Sequence, residues 1–176
     1  TNGLCYSVIN MSRNNRKGDV ESKNTQLTPF VREKLTSVNH CNGKDTWVIT
    51  RDYRNGDFMA FLVTAAGIQP PVITASLSTA AVLGYMKASP DGTRIADAKM
   101  FSSLELFDFN SASGLVSNKK TIMTYPGLFN YGVEFSSDSK ILYTTCSRDN
   151  YPFTSVFYNY ILQYSNLDSS VPIIQS

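Results

Sequence analysis

Chemistry-bearing residues are scarce in this chain, and each shortage excludes something. Its 176 residues hold one histidine, three cysteines and one tryptophan. With His40 as the only base, a Ser-His-Asp triad has one place to form, and no Gly-x-Ser-x-Gly elbow accompanies it. His40-Cys41 is the sole His–Cys neighbour pair, whereas a structural zinc site wants four ligands, typically in close pairs. Cys5 and Cys146 lie far off in sequence. The expectation is therefore no catalytic residue, no metal and no cofactor, with His40 a turn residue bonded to its own loop. An odd cysteine count leaves at least one free thiol, and one disulfide pairing stays open.

Charge is also sparse, at 17% of residues with a net +2. That balance is too small to argue for nucleic acid or an anionic membrane. No apolar run reaches 18 residues, so no membrane span is expected. Apolar residues at helical spacing are missing over any three turns. Leu27 to Leu35 offers one turn at most, and Pro29 interrupts it. With no initiator Met and no signal-like start, the chain is expected to be mature or excised material. The plentiful Ser, Thr and Asn suit a secreted or surface β protein.

What is present is strand. Ten Tyr and ten Phe supply core-forming bulk. Trp47 to Tyr53 and Phe58 to Thr64 flank Asn55-Gly56, which predicts a hairpin with a type I′ turn and positive φ at both central residues. The second run is nearly all apolar, as a strand covered on both faces would be. Tight turns recur at matching places. Asn42-Gly43, Asp91-Gly92 and Asp138-Ser139 are 49 and then 47 residues apart, and Gly18, Gly67 and Gly114 keep the same spacing. Further strands are expected at Leu4 to Met11, near Leu27, at Gly84 to Ala88, Arg94 to Ala98, Leu104 to Phe109 and Leu115 to Met123. Tyr131 to Ser136, Lys140 to Cys146, Phe157 to Tyr164 and Val171 to Ile174 complete the set.

Four short antiparallel strands per period of this length is the size of a β-propeller blade. The expected fold is all-β: about 3.5 four-stranded blades, with half-blades at both ends. Residues 1–35 would be the last strands of a preceding blade, and 36–79, 80–126 and 127–176 the blades that follow. A β-sandwich is the alternative. A half-disc exposes strand edges, so a second copy is expected to complete a roughly seven-bladed ring, unless the other half has been lost.

One series of motifs resembles a known family. It comprises Tyr6 to Met11, Gly18-Asp19-Val20, Lys23-Asn24, Glu33 to Thr36, Val38, His40, Asn42-Gly43 and Trp47-Val48-Ile49. It continues with Gly84 to Lys87, Ser89-Pro90-Asp91-Gly92, Glu105 to Phe109 and Tyr131 to Ser136. In this order they resemble the WD-repeat or YVTN-like β-propeller of exported Bacteroidetes surface proteins. Such proteins often carry adhesion modules and a gliding-motility-associated, type IX secretion sorting domain. The resemblance implies an exported propeller at the cell surface or outer membrane, with no catalytic motif to carry over. The third turn departs from it, with Ser137 and Ser139 in place of Pro and Gly.

Candidate binding residues follow from the blade reading. Asn39, Lys87 and Glu134 stand beside the innermost strands, where propeller channels bind ligands. Tyr125, Phe129, Tyr131, Tyr151, Phe153 and Tyr158 form a candidate aromatic patch for sugars or proteins. Tyr151-Pro152-Phe153 is the part hardest to assign to a core. Arg13 to Lys23 reads as a solvated polar loop without the interleaved aromatics of a nucleic-acid platform. Asp108 and Glu105 read as charges that blunt an outer hairpin. The leading function is a non-catalytic scaffold or recognition module for a protein or glycan partner. The alternatives are a lactonase- or glycosidase-like enzyme with a site at the channel mouth, and a structural spacer.

Overall fold

The computed structural model describes residues 3–76, 83–124, 128–149, 157–165, 167–168 and 173–175. The chain opens with a two-stranded hairpin of β1 (Leu4–Asn10) and β2 (Asp19–Thr28), joined through the single turn α1 (Arg13–Arg16). A sheet of β3 (Leu35–Asn39), β4 (Thr46–Arg51) and β5 (Phe58–Thr64) follows. Its outer edge is split into β6 (Gly67–Ile68) and β7 (Val72–Thr74), both paired to β5. Pro70-Pro71 accounts for the split, since proline donates nothing to a ladder and belongs at an edge.

The next sheet contains β8 (Met86–Ala88), β9 (Arg94–Lys99), β10 (Ser103–Phe109) and β11 (Val116–Thr124). The last contains β12 (Leu128–Phe135), β13 (Leu142–Asp149), β14 (Phe157–Ser165) and β15 (Ile173–Gln175). All pairings are antiparallel between sequence neighbours, apart from the β5–β7 pair. The sequence expectation of a half unit at each end is corrected at the C-terminal side, where the sheet has four strands.

Three turns lead out of β3, β8 and β12, and they share one hydrogen-bond pattern. His40, Ser89 and Ser136 each accept from the residue three positions on, Gly43, Gly92 or Ser139, at 3.0, 2.9 and 2.9 Å. Gly43 and Gly92 have φ of 67° and 72°, and Ser139 keeps the same left-handed backbone at 62°. Loss of glycine therefore leaves the geometry intact. Ser139 is held there by a second role, because its Oγ accepts from Asp91 N across the sheets at 3.0 Å.

The Asn55-Gly56 turn differs from the type I′ expectation. Gly56 has φ of 83°, but Asn55 is not in the left-handed region. The loop is wider, closed by Asp52 N to Asp57 O at 2.9 Å. Side chains dictate this. Arg51 donates from Nε and Nη2 to Gly56 O at 3.1 and 2.7 Å, and Asp52 accepts from Arg54 N at 2.9 Å.

The core lies between sheets rather than within one. Val38, Trp47, Ile49, Phe58, Ile95, Phe107 and Phe109 fill the first intersheet layer, where the Phe58 and Phe107 rings meet edge to face at 5.0 Å. Leu104, Leu106, Val133, Phe135, Leu142 and Tyr164 fill the second. Leu4, Leu27, Val31, Met59 and Phe61 seat the opening hairpin on the β3–β7 sheet. Burial of β5 on both faces follows, as its unbroken apolar run suggests.

The first layer also contains a buried ionic node. Asp97 is fully buried on β9 and accepts from Lys34 Nζ at 2.5 Å and Arg51 Nη1 at 2.6 Å. Lys34 also donates to Gly84 O and Ala98 O at 2.9 and 2.8 Å. Beside it, buried Lys99 pairs with Glu105 at 2.8 Å. Glu105 therefore does not blunt an outer edge. It faces the neighbouring sheet, because its cross-strand partner is Asp97. Asp108 is exposed and accepts from Asn118 Nδ2 at 2.8 Å.

Candidate functional site

The innermost strands β3, β8 and β12 stand side by side. Backbone and side-chain bonds fix their spacing: Tyr85 N donates to Tyr131 O at 2.8 Å, and Ala88 N to Thr36 Oγ1 at 3.0 Å. A groove of about 930 Å³ opens along them and continues over the outward face of β13 and β14. Glu33, Leu35, Tyr85, Lys87, Glu134, Tyr143, Thr145 and Ile161 line it.

Lys87 and Glu134 meet here as an exposed ion pair of 2.8 Å. Asn39 does not join them. Alignment on the shared turns makes His40 equivalent to Ser89 and Ser136, so Asn39 corresponds to Ala88 and Phe135, not to Lys87 and Glu134. One residue of offset moves a strand side chain to the other face. Ala88 and Phe135 indeed pack back on the preceding sheet. Tyr151 and Phe153 lie outside the described residues, as does Tyr125.

Two tyrosines form the aromatic part. Tyr85 is exposed and tilted against Tyr131 with ring centroids 5.3 Å apart. Glu33 braces the pair. Its Oε1 accepts from Gly84 N at 2.5 Å, and its Oε2 accepts from the Tyr131 hydroxyl at 3.2 Å. Loss of hydration, and then the Glu33 carboxylate, raise the Tyr131 phenol above its ordinary value. Lys34 grips the same loop from below through Gly84 O. Gly84 has φ of 107°, and a Cβ there would stand 2.1 Å from Ala98 O, so only glycine allows this approach.

Sequence reasoning singled out Lys87, Glu134 and Tyr131 but missed Glu33, Tyr85, Tyr143 and Ile161. Tyr85 had a usable signal, since it lies 46 residues before Tyr131 in the corresponding strand. A bulge between Asn130 and Val133 hides this by one residue. Another aromatic candidate, Phe129, packs edge to face on Phe101 at 4.8 Å. His40 behaves as expected of a turn residue, with its Nδ1 accepting from Asn42 N at 3.0 Å. Cys41 and Cys146 are free thiols. Burial pushes the Cys146 thiol up to about 11. Among the described residues no three of His, Cys, Asp and Glu converge as metal ligands. No helix among them is long and apolar enough to cross a membrane.

No protein-family model matches the sequence, and no curated protein matches it either. Solved structures do. A Bacteroides fragilis protein provisionally named a 6-phosphogluconolactonase aligns with TM-score 0.56 and 13% identity, covering 100% of this chain and 52% of its own. Kuenenia stuttgartiensis hydrazine synthase aligns with TM-score 0.47 and 12% identity, over 96% of this chain and 58% of its own. A Bacteroides uniformis protein, also provisionally named a 6-phosphogluconolactonase, aligns with TM-score 0.40 and 14% identity, over 82% and 53%. The chain thus spans between a half and three fifths of the length of each. At such identity the first likeness shows fold alone. With the strand order above, it makes this chain an open segment of β-propeller type, whose sheets do not close a ring.

Proposed function

We propose that this chain is a recognition module whose channel-side groove binds a glycan. The observation that carries this reading is the braced, solvent-facing tyrosine pair Tyr85–Tyr131 beside the charged groups Glu33, Lys87 and Glu134. Sugars present apolar C–H faces, which pack on aromatic rings, and hydroxyls, which need oriented donors and acceptors. Glu33 and Glu134 supply acceptors and Lys87 a donor. The groove volume falls within the range of small-ligand sites. In this reading the module works outside the cell, which labelling of intact producing cells with an impermeant reagent would check.

The test is a glycan array probed with the whole chain, then calorimetry on the strongest hit. Tyr85→Ala and Tyr131→Ala should each weaken binding by about tenfold, the scale of one lost aromatic contact. An array without hits, or a hit indifferent to both substitutions, would end this reading.

A second reading is a lactone hydrolase. It is favoured by the contact between the Tyr131 hydroxyl and Glu33, and by the name of the Bacteroides fragilis fold neighbour. Ring opening by water needs a base near the water and a proton donor for the departing oxygen. In this reading Glu134, in the groove, takes the first part and Tyr131, which reaches the groove through Glu33 and Tyr85, the second. Acid release from a panel of sugar lactones, compared with Glu134→Gln, would decide it.

A further inference from the structure

The opening hairpin has a feature that the groove does not use. Its base is seated by Leu4 and Leu27, but its outer half carries apolar side chains in solvent: Ile9 is 61% exposed, Met11 63% and Val20 50%. Ile9 and Val20 are cross-strand partners and share one face. Met11 extends that patch, because a Cβ on Gly18 would meet Met11 Sδ at 3.0 Å and Ile9 Cγ2 at 3.5 Å. On the alternate strand positions Glu21 accepts from Asn10 Nδ2 at 3.1 Å and from Arg13 Nη2 at 2.9 Å. The hairpin is therefore amphipathic with both faces in water.

Charge distinguishes the same element. Residues 13–23 carry four of the 16 Lys and Arg and two of the 14 Asp and Glu, leaving twelve of each elsewhere. The whole net charge of the chain sits at this tip. What was too small as a total is concentrated in one short stretch of the chain. At its apex Asn14, Asn15 and Arg16 take φ of 52°, 55° and 66° in succession, a left-handed turn that an arginine seldom joins. The turn carries exposed Arg16 and Lys17 out at the apex.

We propose that this hairpin tip docks on an anionic lipid surface. Ile9, Met11 and Val20 enter the interfacial layer while Arg16 and Lys17 rest among the headgroups. A second copy that met this face with its own tip is a poorer occupant, since it would set the two net-positive tips against each other.

The test is co-sedimentation of the whole chain with vesicles of phosphatidylcholine alone and with phosphatidylglycerol added. Binding should require the anionic lipid and weaken with salt. Replacing Arg16 and Lys17 together by Gln should lower partitioning by about 25-fold, roughly fivefold per charge. Ile9→Ser with Met11→Ser should lower it as well, while Lys44→Gln, a cation on a distant turn, should leave it unchanged. All these side chains are exposed, so circular dichroism should show folded variants. No binding to anionic vesicles would overturn the proposal, as would binding indifferent to the tip substitutions. Self-association abolished by the apolar pair without vesicle binding would assign the face to a second copy instead. Glycan binding through Tyr85 is read separately and stands or falls alone.

Discussion

Removing the carboxylate of Asp97 should destabilise the chain more than any surface change. Asp97 is fully buried and is the anion between Lys34 and Arg51, at 2.5 and 2.6 Å. Asp97→Asn keeps the shape but leaves two buried cations facing an amide. Breaking a buried pair by removing one partner costs about 3–5 kcal/mol. In a chain of this length that lowers the midpoint of thermal unfolding by about 6–20 °C. The lone Trp47 is buried in the same intersheet layer, so its fluorescence in urea reports on that layer.

A pH arm sharpens the test. Burial lowers the Lys34 pKa from 10.5, and Asp97 opposes that shift. Between the lowered folded value and the ordinary one, the unfolded chain binds the extra proton, so stability rises with pH across that window. Below the folded value both states are protonated and the desolvation cost is present in full. Without Asp97 the folded value drops further, so the rise should begin at lower pH in Asp97→Asn. Lys34→Met should cost less in that background than alone, because it removes a stranded cation. A wild-type unfolding midpoint in Asp97→Asn, or strict additivity with Lys34→Met, would refute the reasoning.

Three further outcomes follow from the geometry. Ser139→Ala keeps the left-handed strain and loses the bond from Asp91 N, for a cost of about 1–2 kcal/mol, whereas Ser139→Gly relieves the strain and should be milder in the same denaturant titration. Gly84→Ala would press a Cβ against Ala98 O and should lower the unfolding midpoint sharply and weaken glycan binding through the Tyr85 loop, checked by calorimetry and thermal melts. Asp138 is held below the usual carboxylate range by the Ser136 hydroxyl and then by Lys140 N, so its contribution should be present above the unfolded value of 3.8 and fade as pH falls through the folded one. Asp138→Asn should flatten that part of the acid limb.

Elements held together by local chemistry were legible from residues alone. The turns at Gly43 and Gly92, the hairpin on either side of Gly56 and the doubly covered strand β5 are set by neighbours in sequence. The same holds for the placing of Lys87 and Glu134 beside inner strands. Misreadings arose where distant groups intervene. Asn39 was aligned one residue off, because strand equivalence is decided by turn hydrogen bonds and not by polarity. Glu105 looked like an edge charge, but its surroundings come from Lys99 and the neighbouring sheet. Asn55-Gly56 did not form a two-residue turn, because Arg51 and Asp52 claim the loop with side-chain bonds. Glu33 was invisible as a site residue, since it lies on a different unit from Gly84 and Tyr131, the groups it joins.

By itself the sequence determined the all-β character, the order of most strands and the positions of the tight turns. These depend on alternation, glycine, proline and side-chain capping within a few residues. Only tertiary structure decided which faces were buried, that Asp97 would anchor two cations, and that Tyr85, packed against Tyr131, would share a groove with Lys87 and Glu134. It also left an apolar trio exposed beside the basic hairpin tip. Those outcomes depend on how separate sheets stack, and the energy of stacking comes from residues tens of positions apart, where no local pattern records it.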